Sequence, residues 1–233
     1  MCGRLNVTDD EFVQQICISL GVDLSLSPLM ANRFVKAAGP LQVIRQVNGE
    51  RRLQQASWWL LLEPTEQGFK PSKYTSFNTR YDKLNVSGSA GYQAFRQSRC
   101  IIPAKGFGET EFELQGATKK PKHYHDMQAI DGALAFGGLC REYINRHTGE
   151  TTLGCSIITL PPHAKLRAIH SKSSPLMLPQ DSTLDTWLDP RFTNVEQFAP
   201  LLEPAIRQDL QVTQINKPSL YQAMSESFVI TKD

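Results

Sequence analysis

The chain has 233 residues, is 40% hydrophobic and carries a formal charge of +2. It can bury a sizeable core, as one large domain or two small ones, and its balanced charge leaves any polyanion partner to a local basic patch. The longest apolar runs fall far short of a membrane span, and Met1-Cys2-Gly3-Arg4 lacks the apolar stretch of a signal peptide. Five cysteines (Cys2, Cys17, Cys100, Cys140 and Cys155) are widely spaced, with no Cys-x-x-Cys pair. Their odd number predicts reduced cytoplasmic thiols, not a disulfide framework or a zinc site.

Thr8-Asp9-Asp10-Glu11 has the form of a capping box and predicts a helix starting at Thr8. Phe12, Val13, Ile16 and Leu20 follow at helical spacing, and Gly21 is the expected stop. Leu41 to Val47 reads as a strand, Asn48-Gly49 as a two-residue hairpin turn, and Arg51 to Leu62 as the returning strand. Trp58 and Trp59 lie on that return. Tyr74 to Tyr81 is expected to be extended. Cys100 to Pro103 is a short apolar strand, and Gly106 to Gly108 reads as a glycine-rich turn. Thr110 to Leu114 and Lys122 to Met127 form a hairpin turning at Gly116. Ala133 to Leu139 and Cys155 to Leu160 are buried strands, separated by a polar stretch that turns near Gly149. Pro161-Pro162 opens a short helix ending near Ile169. Asp181 to Leu188 and Asn194 to Leu202 are further helices, the first with Trp187 on its inner face. Leu210 to Ile215 is a late strand. Strands dominate and helices sit at the edges. The expectation is an α+β fold: one domain over 1–233, with a curved, mostly antiparallel, barrel-like sheet.

Four stretches carry chemistry. Removal of Met1 would leave Cys2 with an α-amine and a thiol on one residue. That 1,2-aminothiol condenses with an aldehyde to an imine and closes to a thiazolidine. A free α-amine titrates near roughly 7.7–8.0, so part of it is nucleophilic at neutral pH. Gly3 allows close backbone approach, and Arg4 favours a thiolate or an anion. The bland alternative is that Cys2 is merely a small residue after the start. In Phe77-Asn78-Thr79-Arg80, a strand would put Asn78 and Arg80 on one face, either as a recognition pair or as solvent-facing polar residues. Glu109, after Phe107, is either a partly desolvated general acid–base or a surface charge beside Glu111 and Glu113. His170 follows a short helix and is either a site residue or a structural histidine. His123 and His125 alternate on a strand, but no third ligand lies nearby, so no metal and no cofactor is expected.

Together these stretches resemble the SRAP (SOS response-associated peptidase) family. Met-Cys-Gly-Arg opens that family. Its Asn-Ala-Arg motif is similar to Asn78-Thr79-Arg80. Its Arg-Cys-x-x-Pro-Ala-x-Gly-Phe-x-Glu motif is matched by Arg99 to Glu109, and its Ile-His motif by Ile169-His170, with Pro175 beyond. The resemblance implies a protein that binds single-stranded DNA and crosslinks to abasic sites through the N-terminal cysteine. It implies Cys2, Asn78, Glu109 and His170 as the essential residues: Cys2 the nucleophile, Glu109 and His170 proton carriers, Asn78 an orienting amide. Arg4, Arg80 and Lys172 would hold flanking DNA, and Trp58, Trp59 or Phe69 would either stack on bases or belong to the core, with burial expected for at least one of the tryptophans. A monomer in a bacterial cytoplasm, near the nucleoid, is expected. The chain departs from the family pattern at Val35, Lys105, Gly108, Thr110 and Lys172, which points to an altered DNA grip. An N-terminal-nucleophile amidohydrolase or peptidase and a non-catalytic DNA-binding module are the competing readings.

Overall fold

Two sheets share one hydrophobic core. The structure, a computed structural model, describes residues 3–115 and 118–233. In chain order the elements are β1 (Arg4–Val7), α1 (Glu11–Ser19), β2 (Asn32–Lys36), β3 (Pro40–Val47), β4 (Glu50–Ser57), β5 (Leu62–Thr65), β6 (Gly68–Pro71) and β7 (Asn78–Arg80). Then come α2 (Tyr92–Gln97), β8 (Arg99–Ala104), β9 (Gly106–Gln115), β10 (Thr118–Ala129), β11 (Leu134–Ile144) and β12 (Thr151–Leu160). The rest are β13 (Ser174–Pro175), α3 (Thr183–Leu188), β14 (Leu210–Ile215) and β15 (Phe228–Ile230). One large sheet runs β15-β14-β10-β9-β1-β2, the second runs β11-β8-β3-β4-β12-β13 with β7 added to β12, and β5 and β6 pair as a separate two-stranded sheet. Because β11 also pairs with β12, strands β11, β8, β3, β4 and β12 close into a barrel. Closure needs β12 to approach β4 at Gly154, opposite Ser57. A β-carbon on Gly154 would lie 2.6 Å from the Trp59 carbonyl oxygen, so only glycine fits there.

Side-chain alternation divides the core. Cys100 and Ile102 join Val43, Phe136, Cys140, Cys155 and Ile157 in one cluster, which continues into Leu5, Phe107, Met127 and Val212 of the other sheet. Ile101, between them on β8, points the other way. It packs with Ile44, Leu139 and Ile158 against Val13 and Ile16 of α1 and Trp187 of α3. Arg99 pins the helices. Its buried guanidinium donates to the carbonyls of Phe95 (2.7 Å), Arg96 (3.0 Å), Trp187 (2.7 Å), Asp189 (2.6 Å) and Phe192 (3.0 Å). Burial lowers its pKa to about 10 against the opposing pull of Asp189. Cys17, Cys100, Cys140 and Cys155 are free and buried. No described helix is long and apolar enough to cross a membrane.

The curved, mostly antiparallel barrel with peripheral helices is as expected, but several local expectations are corrected. The first helix is capped by Asp10, whose Oδ1 accepts from Val13 N at 2.9 Å, not by Thr8. Asn48 and Gly49 have φ of 53° and 86°, the pair of positive values that a tight hairpin turn requires. The return strand stops at Ser57, so Trp58 and Trp59 lie beyond it. Gly106 to Gly108 is strand, not turn, because β1 pairs along it. Gly116, the expected turn residue, lies outside the described residues. The helix expected after Pro162 is one 3-10 turn, Ala164–Leu166, and the last expected helix is the 3-10 segment Val195–Leu202, with Pro200 inside it.

Candidate active site

The site forms where β1 meets β9. Arg4 pairs with Gly108 and Leu5 with Phe107, while Glu109 stands opposite His125 on β10. Residues two apart share a face of a strand. Phe107 is fully buried in the core, so Glu109 is delivered to the rim of that core and is 3% exposed. Burial drives the Glu109 pKa up to about 7, with the Arg4 charge pulling the other way. Arg4 lies on the alternate face. Its Nη2 donates to the carbonyls of Glu109 (2.9 Å) and His125 (3.4 Å), and its guanidinium sits 5.2 Å from the Tyr124 ring centre. Arg4 is therefore a buried support for the carboxylate strand as well as a wall of the site. Gly108 accounts for its seat, since a β-carbon there would meet Arg4 Nε at 2.8 Å.

The histidine of the site arrives on a loop. His163 caps the 3-10 turn Ala164–Leu166 by accepting from Lys165 N at 3.2 Å. The Leu166 carbonyl then accepts from Ile169 N at 2.9 Å and His170 N at 2.8 Å. Ile169 is buried, which anchors the turn and sets His170 at the cavity. His170 Nδ1 lies 3.5 Å from Glu109 Oε2. That distance is long for a hydrogen bond but within range of an ion pair.

Between these groups is a cavity of about 470 Å³. Gly3 forms part of its wall. Cys2 lies outside the described residues, so its next neighbour is what the structure brings to Glu109 and His170. Phe77 and Phe112 supply aromatic surface, and Arg167 and Lys172 supply cations. Both cations are exposed.

Other candidate residues are placed differently. Trp58 is completely buried and donates its indole N–H to the Phe77 carbonyl at 2.8 Å. It is a core residue and offers no face to a base. Trp59 is half-buried behind Phe77, with ring centres 5.7 Å apart. Asn78 is half-buried on β7, directly after the cavity-lining Phe77. Arg80 is held by Asp82 in a two-point pair at 3.0 and 2.7 Å and is not part of the cavity wall. Arg80 is thus exposed and paired on the surface, away from the cavity that Glu109 and His170 share. Phe69 packs on Tyr143 at 6.3 Å. Lys105 donates to the Gly132 carbonyl at 2.8 Å and pairs with Asp10 at 3.3 Å, so this departure from the family pattern ties α1 to the barrel. Val35 is buried opposite Leu5. His123 Nδ1 lies 2.9 Å from Gln214 Nε2. Among the described residues no group of three His, Cys, Asp or Glu side chains is arranged to hold a metal.

Arg167 and Phe112 were not legible as site residues. Phe112 shares a strand face with Thr110, two positions on, and both line the cavity. Arg167 stands three residues before His170, one turn away, and nothing in its local sequence marks it out.

A buried carboxyl and a histidine meet at the rim of a β-barrel, in a cavity that also takes in the chain's third residue. The family model described as SOS response associated peptidase (SRAP) matches residues 1–218, and the chain belongs to this family. Among curated proteins, it is 26% identical to the abasic site processing protein YoqW of Bacillus subtilis (strain 168), over 93% of this chain and 92% of that protein. It is 30% identical to the abasic site processing protein YobE of the same organism, over 71% of this chain and 74% of that protein. Among solved structures, a protein from Bacteroides thetaiotaomicron has the same fold at a TM-score of 0.68 and 19% identity, covering 96% of this chain and all of that one. A protein from Bordetella bronchiseptica matches at a TM-score of 0.66 and 18% identity, over 93% of this chain and all of its own.

Proposed function

We propose that the protein processes abasic sites in single-stranded DNA by forming a covalent thiazolidine through Cys2 after Met1 is removed. The observation that carries this reading is the Glu109–His170 pair, 3.5 Å apart, in a cavity whose wall includes Gly3. The names of the similar Bacillus proteins agree with it.

The chemistry follows from the groups present. Ring opening of the abasic sugar exposes an aldehyde. The Cys2 α-amine adds to the aldehyde carbon, and loss of one water leaves an imine. The Cys2 thiol then adds to the same carbon and its proton passes to the nitrogen, closing a five-membered ring. A carboxyl with a pKa of about 7 can give a proton to the departing hydroxyl and take one from the thiol at neutral pH. His170 passes protons between Glu109 and the sugar oxygen. Asn78 orients the amine or the sugar. Arg167 and Lys172 hold the flanking phosphates, while Phe112 and Phe77 offer stacking surface to neighbouring bases.

The test is incubation of protein, shown by mass to begin at Cys2, with a single-stranded oligonucleotide carrying one abasic site. A protein–DNA band that survives denaturation is expected for wild type, with none for Cys2→Ala and none with unmodified DNA. Absence of that band from the wild-type protein would end the reading.

A further inference from the structure

The loop that carries His170 is tied to the opposite end of the chain through a set of contacts that the proposed chemistry does not use. Asp233 is fixed on the barrel side. Its Oδ2 accepts from Ile206 N at 2.7 Å and its backbone N–H donates to the Ile206 carbonyl at 3.0 Å. Ile206 is itself buried in the core. From that anchor the same carboxylate reaches the loop: Oδ2 lies 3.0 Å from His163 Nε2 and Oδ1 lies 2.8 Å from Lys165 Nζ. Lys165 Nζ also donates to the carbonyls of Thr231 (2.8 Å) and Lys232 (3.1 Å).

His163 is the hinge of this arrangement. Its Nδ1 accepts from Lys165 N, so Nδ1 carries no proton and the ring proton sits on Nε2, facing Asp233. A carboxylate there selects the tautomer that caps the 3-10 turn. The turn in turn supplies the Leu166 carbonyl that holds His170 N. His163 N also donates to Ser174 Oγ at 2.7 Å, which fixes the start of the loop against β13.

We infer that Asp233, acting through His163 and Lys165, is a positioning residue that holds His170 against Glu109. Residues 219–233 lie beyond the span matched by the family model, so this support comes from outside the matched region. The inference rests on the proposed crosslinking reaction for its kinetic consequence, but not for its structural one. His170 needs the support because its loop is a single 3-10 turn, and a misplacement of about 1 Å in a proton carrier costs up to roughly 10²-fold in rate.

The experiment compares wild type with Asp233→Ala, His163→Phe and the double variant. Hydrogen exchange on the protein alone should be about tenfold faster at 164–172 in each variant, with the barrel strands unchanged. The crosslinking rate at saturating abasic oligonucleotide should fall about tenfold. Affinity for the unmodified oligonucleotide should stay within about twofold, and the double variant should be no worse than either single one. Unchanged exchange at 164–172 would overturn the inference. So would an unchanged crosslinking rate, or losses that multiply in the double variant. If wild type forms no crosslink, the proposed reaction fails while the exchange measurement still decides whether Asp233 positions the loop.

Discussion

Arg4 and Gly108 occupy one place in the sheet: the guanidinium fills the space that a side chain at 108 would take, with Arg4 Nε 2.8 Å from where that β-carbon would lie. Because Arg4 is also bonded to the Glu109 carbonyl, the absence of a side chain at 108 lets Arg4 brace the strand that bears the carboxylate. Gly108→Ala should displace Arg4 and destabilise the protein by about 1–3 kcal/mol, as expected for overpacking. Urea unfolding would measure this, and an unchanged midpoint would show that Arg4 has an equally good alternative seat.

Glu109 gives a signed pH dependence. Its pKa is raised from 4.5 to about 7, first by burial. Between those values the unfolded chain has released the proton that the folded chain still holds. The stability associated with the protonated, buried carboxyl is therefore full below about 4.5 and is lost as pH rises through about 7. Glu109→Gln removes that loss. It should stabilise the protein at pH 8 by up to about 3 kcal/mol and change little at pH 4. The same variant should crosslink about 10²-fold more slowly. Denaturant titrations at the two pH values, paired with the gel assay, separate the effects.

Arg167→Ala and Lys172→Ala should each flatten the salt dependence of single-stranded DNA binding. The slope of log affinity against log salt should change by about 0.7 for each phosphate that is no longer neutralised. Arg80→Ala should leave the slope unchanged, since Arg80 is already paired with Asp82. A fluorescence anisotropy series in salt would distinguish them.

Arg99 makes a purely structural prediction. Its guanidinium meets five backbone carbonyls from a buried position. Lysine has three donors and no fork. Arg99→Lys should cost about 2–4 kcal/mol in unfolding free energy while leaving the crosslinking rate of the folded fraction intact. A rate loss at full folding would place Arg99 in the site instead.

Barrel strands such as Leu41 to Val47 and Cys155 to Leu160 were readable as short apolar runs, because Leu41 to Ile44 and all of Cys155 to Leu160 are buried, with successive side chains entering the two core clusters on opposite faces. Gly106 to Gly108 misled, since glycines that mark turns in isolation are here demanded by a neighbouring strand and an arginine more than a hundred positions away. Asp10 displaced Thr8 as the cap because the helix starts at Glu11, a register that local propensity leaves ambiguous. At the candidate site, Glu109 and His170 were picked out by the family resemblance, since their local sequence alone also fits a surface glutamate and a structural histidine. For Trp58 and Trp59 the sequence left base stacking and burial both open, with burial expected for at least one; Trp58, just past the end of the strand at Ser57, is the buried one. Arg167 and Phe112 stayed hidden because the cavity, not the local sequence, gives them their place.

The closed barrel and the pairing of β1 with β9 bear on when the chain becomes competent. The cavity collects Gly3 and Arg4, Phe77, β9 and the loop through Lys172, and the bond from Arg4 to Glu109 joins residues 105 positions apart. Such non-local pairing makes for slow folding. No segment of the chain assembles the acid–base pair with its walls by itself. Under the proposed reaction, an unfolded chain freed of Met1 would present Cys2 without its acid–base partners, and full reactivity toward aldehydes would appear only as the last strands close.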